Sequence, residues 1–157
     1  MSNAIIRPAQ AVDVPVLLRF IQQLAELEQF PEPLTVNQER LQQHLFGARP
    51  VAEALLIESE LQPIGYVIYY MNFASSTGSP GLHIDDLFIL PAAQGQGLGK
   101  QIMKHVAQLA RERACTRIEW WALRTNLSAQ QFYRQLGAEQ KNELLVYRLD
   151  GERLRNF

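Results

Sequence analysis

One segment of the chain concentrates residues capable of chemistry: Ile84-Asp85-Asp86-Leu87-Phe88-Ile89-Leu90-Pro91-Ala92-Ala93-Gln94-Gly95-Gln96-Gly97-Leu98-Gly99-Lys100. A β-rich run stops at Pro91 and enters three glycines at alternate positions. These open a helical pattern carrying Ile102, Met103, Val106, Ala107 and Ala110. Glycine tolerates backbone conformations barred to other residues and leaves its amide accessible. At a helix start, free amides and the helix dipole favour a phosphate-sized anion. Two carboxylates, Asp85 and Asp86, stand just upstream, and a positioned carboxylate can serve as a general base. Strand alternation predicts that they face opposite ways, one towards a cleft and the other structural. His83, two residues before Asp85, is expected on the same face as Asp85.

The common nucleotide loops do not fit. A dinucleotide fingerprint needs glycine at position 100, where lysine stands. A Walker loop needs glycine at position 94, which is glutamine, and Ser or Thr after Lys100, where Gln101 stands. What fits is Gln94-x-x-Gly97-x-Gly99, the (Arg/Gln)-x-x-Gly-x-(Gly/Ala) arrangement of acyl-coenzyme A pyrophosphate loops.

The surrounding pattern supplies elements to hold this segment. Met1-Ser2-Asn3-Ala4 carries the Ser-Asn-Ala signature of a cloning remnant. Ile5-Ile6-Arg7 reads as a short strand. Asp13 reads as an N-cap with Pro15 in the first turn of a helix to about Glu28, carrying Val14, Leu17, Leu18, Ile21, Leu24 and Ala25. Thr35-Val-Asn-Gln38 has capping-box spacing before a second helix with Leu41, Leu45 and Phe46. Strands are expected at Ala52–Glu58, Ile64–Asn72 and Leu82–Leu90, with Ala74–Gly81 a mobile loop. A strand at Arg117–Ala122, a helix at Ser128–Leu136 ended by Gly137 and a last strand at Leu144–Leu149 follow. With no repeat or linker, residues 1–157 read as one mixed α/β domain.

Composition narrows the classes. The 157 residues carry 15 Lys plus Arg against 16 Asp plus Glu, a net charge of -1 that excludes an overall polybasic nucleic-acid binder. No apolar run approaches a membrane span, and the opening residues lack a basic-then-apolar secretory pattern, so a soluble, cytoplasmic protein is expected. Cys115 alone makes no disulfide or cysteine zinc cluster, and His44, His83 and His105 form no metal-ligand spacing. The charge is divided: residues 1–99 hold four basic and ten acidic side chains, residues 100–157 eleven and six. Such a split suits two ligands of opposite sign, or reflects uneven scatter over a solvated surface.

On these residues the chain resembles the GCN5-related N-acetyltransferase (GNAT) superfamily over nearly its whole length. Within it, the chain is most similar to the spermidine/spermine and thialysine acetyltransferase group. Ile6-Arg7-Pro8-Ala9, Phe46-Gly47, Gly65-Tyr66 before Tyr69-Tyr70, Asp86-Leu-Phe-Ile and Gln131-Phe132-Tyr133-Arg134-x-x-Gly137-Ala138 carry that similarity. The resemblance implies an α/β (α+β) fold with a twisted, mostly antiparallel mixed sheet, splayed central strands and flanking helices.

It also implies acetyl-CoA as cofactor, with no metal. Leu87, Phe88 and Ile89 would meet the pantetheine amides, and Gln94 with Gly95, Gln96, Gly97, Leu98, Gly99 and Lys100 would hold the pyrophosphate. Asn126, Ser128, Ala129, Tyr133 and Arg134 would line the other side, with Glu119-Trp120-Trp121 beside them. Aminolysis of a thioester needs an amine stripped of its proton and a protonated leaving thiolate. The resemblance assigns the second task to Tyr133 and the first to Asp85, directly or through a water. It makes Glu28 and Asp85 contacts of a small cationic amine, with Glu26 and Glu32 adding negative potential. A homodimer is implied, with Leu149–Phe157 reaching a partner, and neither nucleic acid nor membrane is a partner. Peptide acetylation and non-catalytic coenzyme A binding are the rival functions.

Overall fold

The computed structural model describes residues 3–157; the cloning-remnant reading of Met1 and Ser2 lies outside the described residues. The chain divides into two compact units, one running to Trp121 and one from Ala122 to Phe157.

The first unit is built on a five-stranded sheet in sequential order. Strands β1 (Ile5–Pro8), β2 (Glu53–Ser59), β3 (Gln62–Ala74) and β4 (Ser79–Ile89) pair antiparallel; β5 (Ile118–Trp120) joins β4 in parallel. Helices α1 (Val14–Leu27) and α2 (Gln38–Phe46) connect β1 to β2, and α3 (Leu98–Glu112) connects β4 to β5. On one face of the sheet, Leu17, Phe20 and Leu24 of α1 and Leu41 and Leu45 of α2 pack with Leu56, Tyr66, Ile68 and Phe88. Leu55, Ile57 and Val67, one pleat away, are buried on the other face, as are Leu98, Ile102, Val106 and Ala110 of α3. The mixed sheet with flanking helices is the architecture expected.

Several expected boundaries shift for physical reasons. Ala74–Gly81 is not a mobile loop. Ala74 closes β3, Ser79 opens β4, and residues 75–78 make a tight turn with Gly78 at φ 65°. Cross-strand hydrogen bonds therefore reach further into the small residues than their composition suggests. The second helix is capped by Asn37, whose side chain accepts from the Arg40 amide at 2.9 Å, rather than by Thr35.

Asp13 makes no side-chain cap to α1. It accepts instead from the Gln10 amide at 2.7 Å and from both terminal nitrogens of Arg7, which also grips Glu58 of β2. That fork joins β1, β2 and the entry to α1, and the guanidinium holds the Asp13 carboxyl below its usual range.

In the second unit, α4 (Leu127–Gln135) ends before Gly137, close to expectation, and a short α5 (Gly151–Arg155) follows. The strand expected at Leu144–Leu149 is not formed. Leu145 and Tyr147 are 75% and 87% exposed, and the segment takes no place in the sheet. A β-prone run becomes a strand only with a hydrogen-bonding neighbour.

Asp13→Asn should lower the unfolding free energy by about 1–3 kcal/mol, because a charge-assisted, nearly buried partner of Arg7 is lost. The sign with pH is fixed by the depressed carboxyl. Its contribution is complete above the usual aspartate range and vanishes as pH falls through the folded-state value. Urea titrations at pH 7 and pH 3 should therefore show the variant's deficit shrinking in acid; a constant deficit would contradict this.

Candidate active site

The site begins where β4 loses a neighbour. Its pairing with β5 covers Leu82, His83 and Ile84 against Ile118, Glu119 and Trp120 and goes no further. Towards β3, Leu87, Phe88 and Ile89 remain paired with Val67, Tyr66 and Gly65. Among the described residues, β4 from Asp85 onward thus has a strand on one side only. The peptide groups turned to the other side have no partner in the sheet and are available to an extended amide-bearing ligand.

The glycine segment follows directly. Pro91–Ala93 form a 3-10 turn, and α3 starts at Leu98 with Gly97 as its N-cap. Gly95 and Gly97 have φ of 78° and 77°, a left-handed conformation that explains why these two positions are glycine. Gln94 ties the segment down: Nε2 donates to the Ile89 carbonyl at 3.0 Å. Its side chain is thus engaged by the strand end, while Gly95, Gln96, Gly97 and Lys100 are exposed at the helix start and Leu98 is buried.

The two carboxylates depart from simple alternation. Ile68 pairs with Asp86 and Tyr69 with Ile84, so Asp85 is an extra residue, a β-bulge. Residues paired across a sheet share a face, which puts Phe88, Asp86 and His83 with Tyr66, Ile68 and Tyr70 on the α1 side. Asp85 is exposed at the bulge, outside the paired register. The regular alternation on which the expectation of opposite faces for the two aspartates rests is broken at Asp85 itself. The expected pairing of His83 with Asp85 also gives way: the bulge places His83 with Asp86. His83 is 5% exposed and packs 4.9 Å from the Tyr70 ring and 5.1 Å from that of Trp121.

Asp86 accepts a hydrogen bond from the Tyr66 hydroxyl at 3.0 Å. Burial, with the neighbouring Asp85 charge, raises its carboxyl to about 6, against the opposing effect of that hydrogen bond. Burial and the facing carboxylate push the Tyr66 phenol far upward, so it stays a donor. The Tyr66 ring is held by Phe20 of α1 and by Phe88, with centroids 6.1 and 5.9 Å away. Sequence reasoning singled out both aspartates but missed Tyr66 as the partner. Its only signal is the antiparallel register of β3 with β4, and nothing in the residue types announces a bulge.

Glu28 caps the C-terminal end of α1, and burial raises its carboxyl. Glu26 and Glu32 lie beside Gln29 and Phe30 in the lining of an open cavity of about 490 Å³. Among the described residues, no group of three or more His, Cys, Asp or Glu side chains is arranged to hold a metal ion.

The second unit carries the other expected residues. Asn126 caps α4, its Oδ1 accepting from the Ala129 amide and the Ser128 hydroxyl, both at 3.2 Å. Tyr133 is half-buried on the same helix beside the Phe132 ring, 5.6 Å away, and Arg134 is exposed.

Comparison with known proteins agrees with this geometry. A family model described as "Acetyltransferase (GNAT) family" matches residues 20–138. Thialysine N-epsilon-acetyltransferase of Sus scrofa is 32% identical, covering 100% of this chain and 98% of that protein. Spermidine/spermine N(1)-acetyltransferase-like protein 1 of Homo sapiens is 29% identical over 85% of this chain and 20% of its own length. Among solved structures, an integron cassette protein from the mobile metagenome of V. cholerae superposes with a TM-score of 0.81. It is 26% identical and covers 99% of this chain and 97% of its own.

The close approach of β3 to the strand end gives a test. A Cβ on Gly65 would lie 2.4 Å from the Phe88 carbonyl oxygen, a backbone atom that cannot step aside. Gly65→Ala should cost about 1–3 kcal/mol in urea unfolding. An unchanged midpoint would show that the two strands separate freely there.

Proposed function

Since the chain belongs to the GNAT acetyltransferase family, we propose that it moves the acetyl group of acetyl-CoA to a primary amine of a small cationic acceptor by direct attack. The acceptor class is a polyamine, a diamine or a thialysine-like amino acid. One observation carries the reading: a strand edge free from Asp85 onward runs into an anion-binding helix start, with two carboxylates at the fork. The full-length likeness to a thialysine acetyltransferase and the acidic lining near the end of α1 support the acceptor class.

The residues divide the work by their chemistry. The edge of β4 that β3 leaves open along Leu87, Phe88 and Ile89 aligns the pantetheine arm, with the Ile89 carbonyl held by Gln94, and the amides of Gly95 to Lys100 hold the pyrophosphate. Gln94 fixes the loop that presents them. Asn126, Ser128, Ala129 and Arg134 contribute the start and flank of α4 to the cofactor. Glu28 and Asp85 attract the acceptor's ammonium groups. Asp85 takes a proton from the ammonium, directly or through a water, and the freed lone pair attacks the thioester carbonyl. The carbon–nitrogen bond forms, the carbon–sulfur bond breaks, and Tyr133 gives its proton to the thiolate. The nitrogen loses two protons overall; one is balanced on the thiol and one leaves to solvent. A homodimer completes the proposal, supported by the exposed apolar run Leu144, Leu145, Val146 and Tyr147 and by Phe157 at 96% exposure.

A thiol-release screen over polyamines, thialysine, ornithine, aminoglycosides and peptides tests the acceptor. Turnover should be fastest with a diamine or thialysine-like amine; preference for peptides, or binding of acetyl-CoA without any turnover, would replace the reading. Tyr133→Phe should lose roughly 10–1,000-fold in kcat while coenzyme A affinity is retained. Gln94→Leu should instead weaken coenzyme A binding about tenfold, the value of one hydrogen bond that orders the loop. Light scattering should give twice the 17.9 kDa chain mass.

A further inference from the structure

Trp121 is the first residue past β5, and it stands where the sheet opens. The parallel register pairs His83 with Glu119 and Ile84 with Trp120, so its next step sets Trp121 opposite Asp85, where pairing has stopped. Residues paired across a sheet share a face, which puts His83 and Tyr70 together on the α1 side. The Trp121 ring joins them there. Its centroid lies 5.1 Å from the imidazole in a T-shaped contact, and the imidazole stacks on the Tyr70 ring at 4.9 Å. His83 is 5% exposed and Trp121 58%. The indole is thus anchored by a buried ring and largely open to solvent. A T-shaped contact occupies at most one face of an indole, so His83 leaves the other face to a ligand.

An indole face is the best of the aromatic surfaces for a cation. The charged neighbours fit that use. Glu119, on the face of His83, is tied to Arg117 at 2.6 Å. Asp85 is exposed and stands next to Trp121 in the register. The contact with His83 draws the indole back along β4, towards a residue about 7 Å before Asp85 and away from the glycine turn. An acceptor whose reacting nitrogen sits at Asp85 therefore has the indole beneath the rest of its chain, over a span that a short linear diamine covers.

We propose that Trp121 selects for a second cationic group on the acceptor: one face of its indole receives the non-reacting ammonium and the methylenes beside it. The inference deepens the acetyl-transfer reading and rests on it. Trp121 has no part in the proton transfers, so its loss costs acceptor affinity and leaves the turnover of bound acceptor in place. A monoamine of the same length gains only apolar contact from the ring.

Calorimetry on the coenzyme A-loaded protein tests this without turnover, using cadaverine and pentylamine as a diamine and a monoamine of equal chain length. Trp121→Leu keeps apolar bulk and removes the π face. It should weaken cadaverine about three- to tenfold and pentylamine less than about twofold. Trp121→Phe, which keeps a π face, should retain most of the cadaverine affinity. In thiol-release assays Trp121→Leu should raise KM for the diamine and leave kcat within about twofold. The exposed position tolerates both substitutions, and thermal melts check that each variant is folded. An unchanged cadaverine Kd, or equal weakening of both amines, would overturn the inference and leave the acetyl-transfer reading standing. Weakened coenzyme A binding with cadaverine unaffected would assign the indole to the cofactor and overturn it as well. Absence of thiol release with every amine is the separate failure of the acetyl-transfer reading.

Discussion

The organisation of the site follows from a backbone constraint: peptide groups withdrawn from solvent need partners. Up to Ile84, β4 satisfies this on both sides; beyond it the β5 side is open. A strand with one vacant edge, held straight by β3 on its other edge, is a rigid template for another extended chain of amides. The phosphate-binding turn is where it is because β4 ends at Ile89 and the chain must reverse into α3. The carboxylates are where they are because the sheet loses its regular register at the same residue at which it loses a neighbour.

Rigidity on the closed side comes from apolar packing. Phe20, Tyr66 and Phe88 form one aromatic cluster spanning α1, β3 and β4. Beyond this cluster, Arg113 at the end of α3 pairs with Glu53 of β2 and reaches the Tyr69 hydroxyl at 3.4 Å, fastening the helix to the opposite side of the sheet. The sheet is thereby fastened on both faces. The glycine turn needs little more than Gln94 to hold it.

Much of this is legible in the residues. The apolar spacing of Leu17, Leu24, Ile102 and Val106 marks the two long helices, and the run from Leu87 to Lys100 marks the strand, turn and helix start. What stays hidden depends on neighbours that sequence does not display. Small residues at 74–81 suggest a loop because their side chains pack little, but it is the backbone ladder that carries the hairpin to its tip. Leu144–Leu149 has the composition of a strand but pairs with none. Asp13 has the right type for a helix cap, but the Arg7 guanidinium competes for it and takes it. The bulge at Asp85 is legible only from register, because alternation holds until one residue breaks it.

The single extra residue at Asp85 also bears on how the chain can change. Phe88 reaches the α1 core only because the bulge has already shifted the phase of β4 relative to Ile84. Deleting Asp85 would make Ile84 and Asp86 neighbours, regularise the ladder against Tyr69 and Ile68, and leave Ile84 and Phe88 each on the face it now holds. Point substitution at 85 leaves that phase untouched. The packing of the sheet therefore requires neither the side chain nor the backbone of this position, and what the extra residue contributes is a carboxylate held outside the ladder at the open edge.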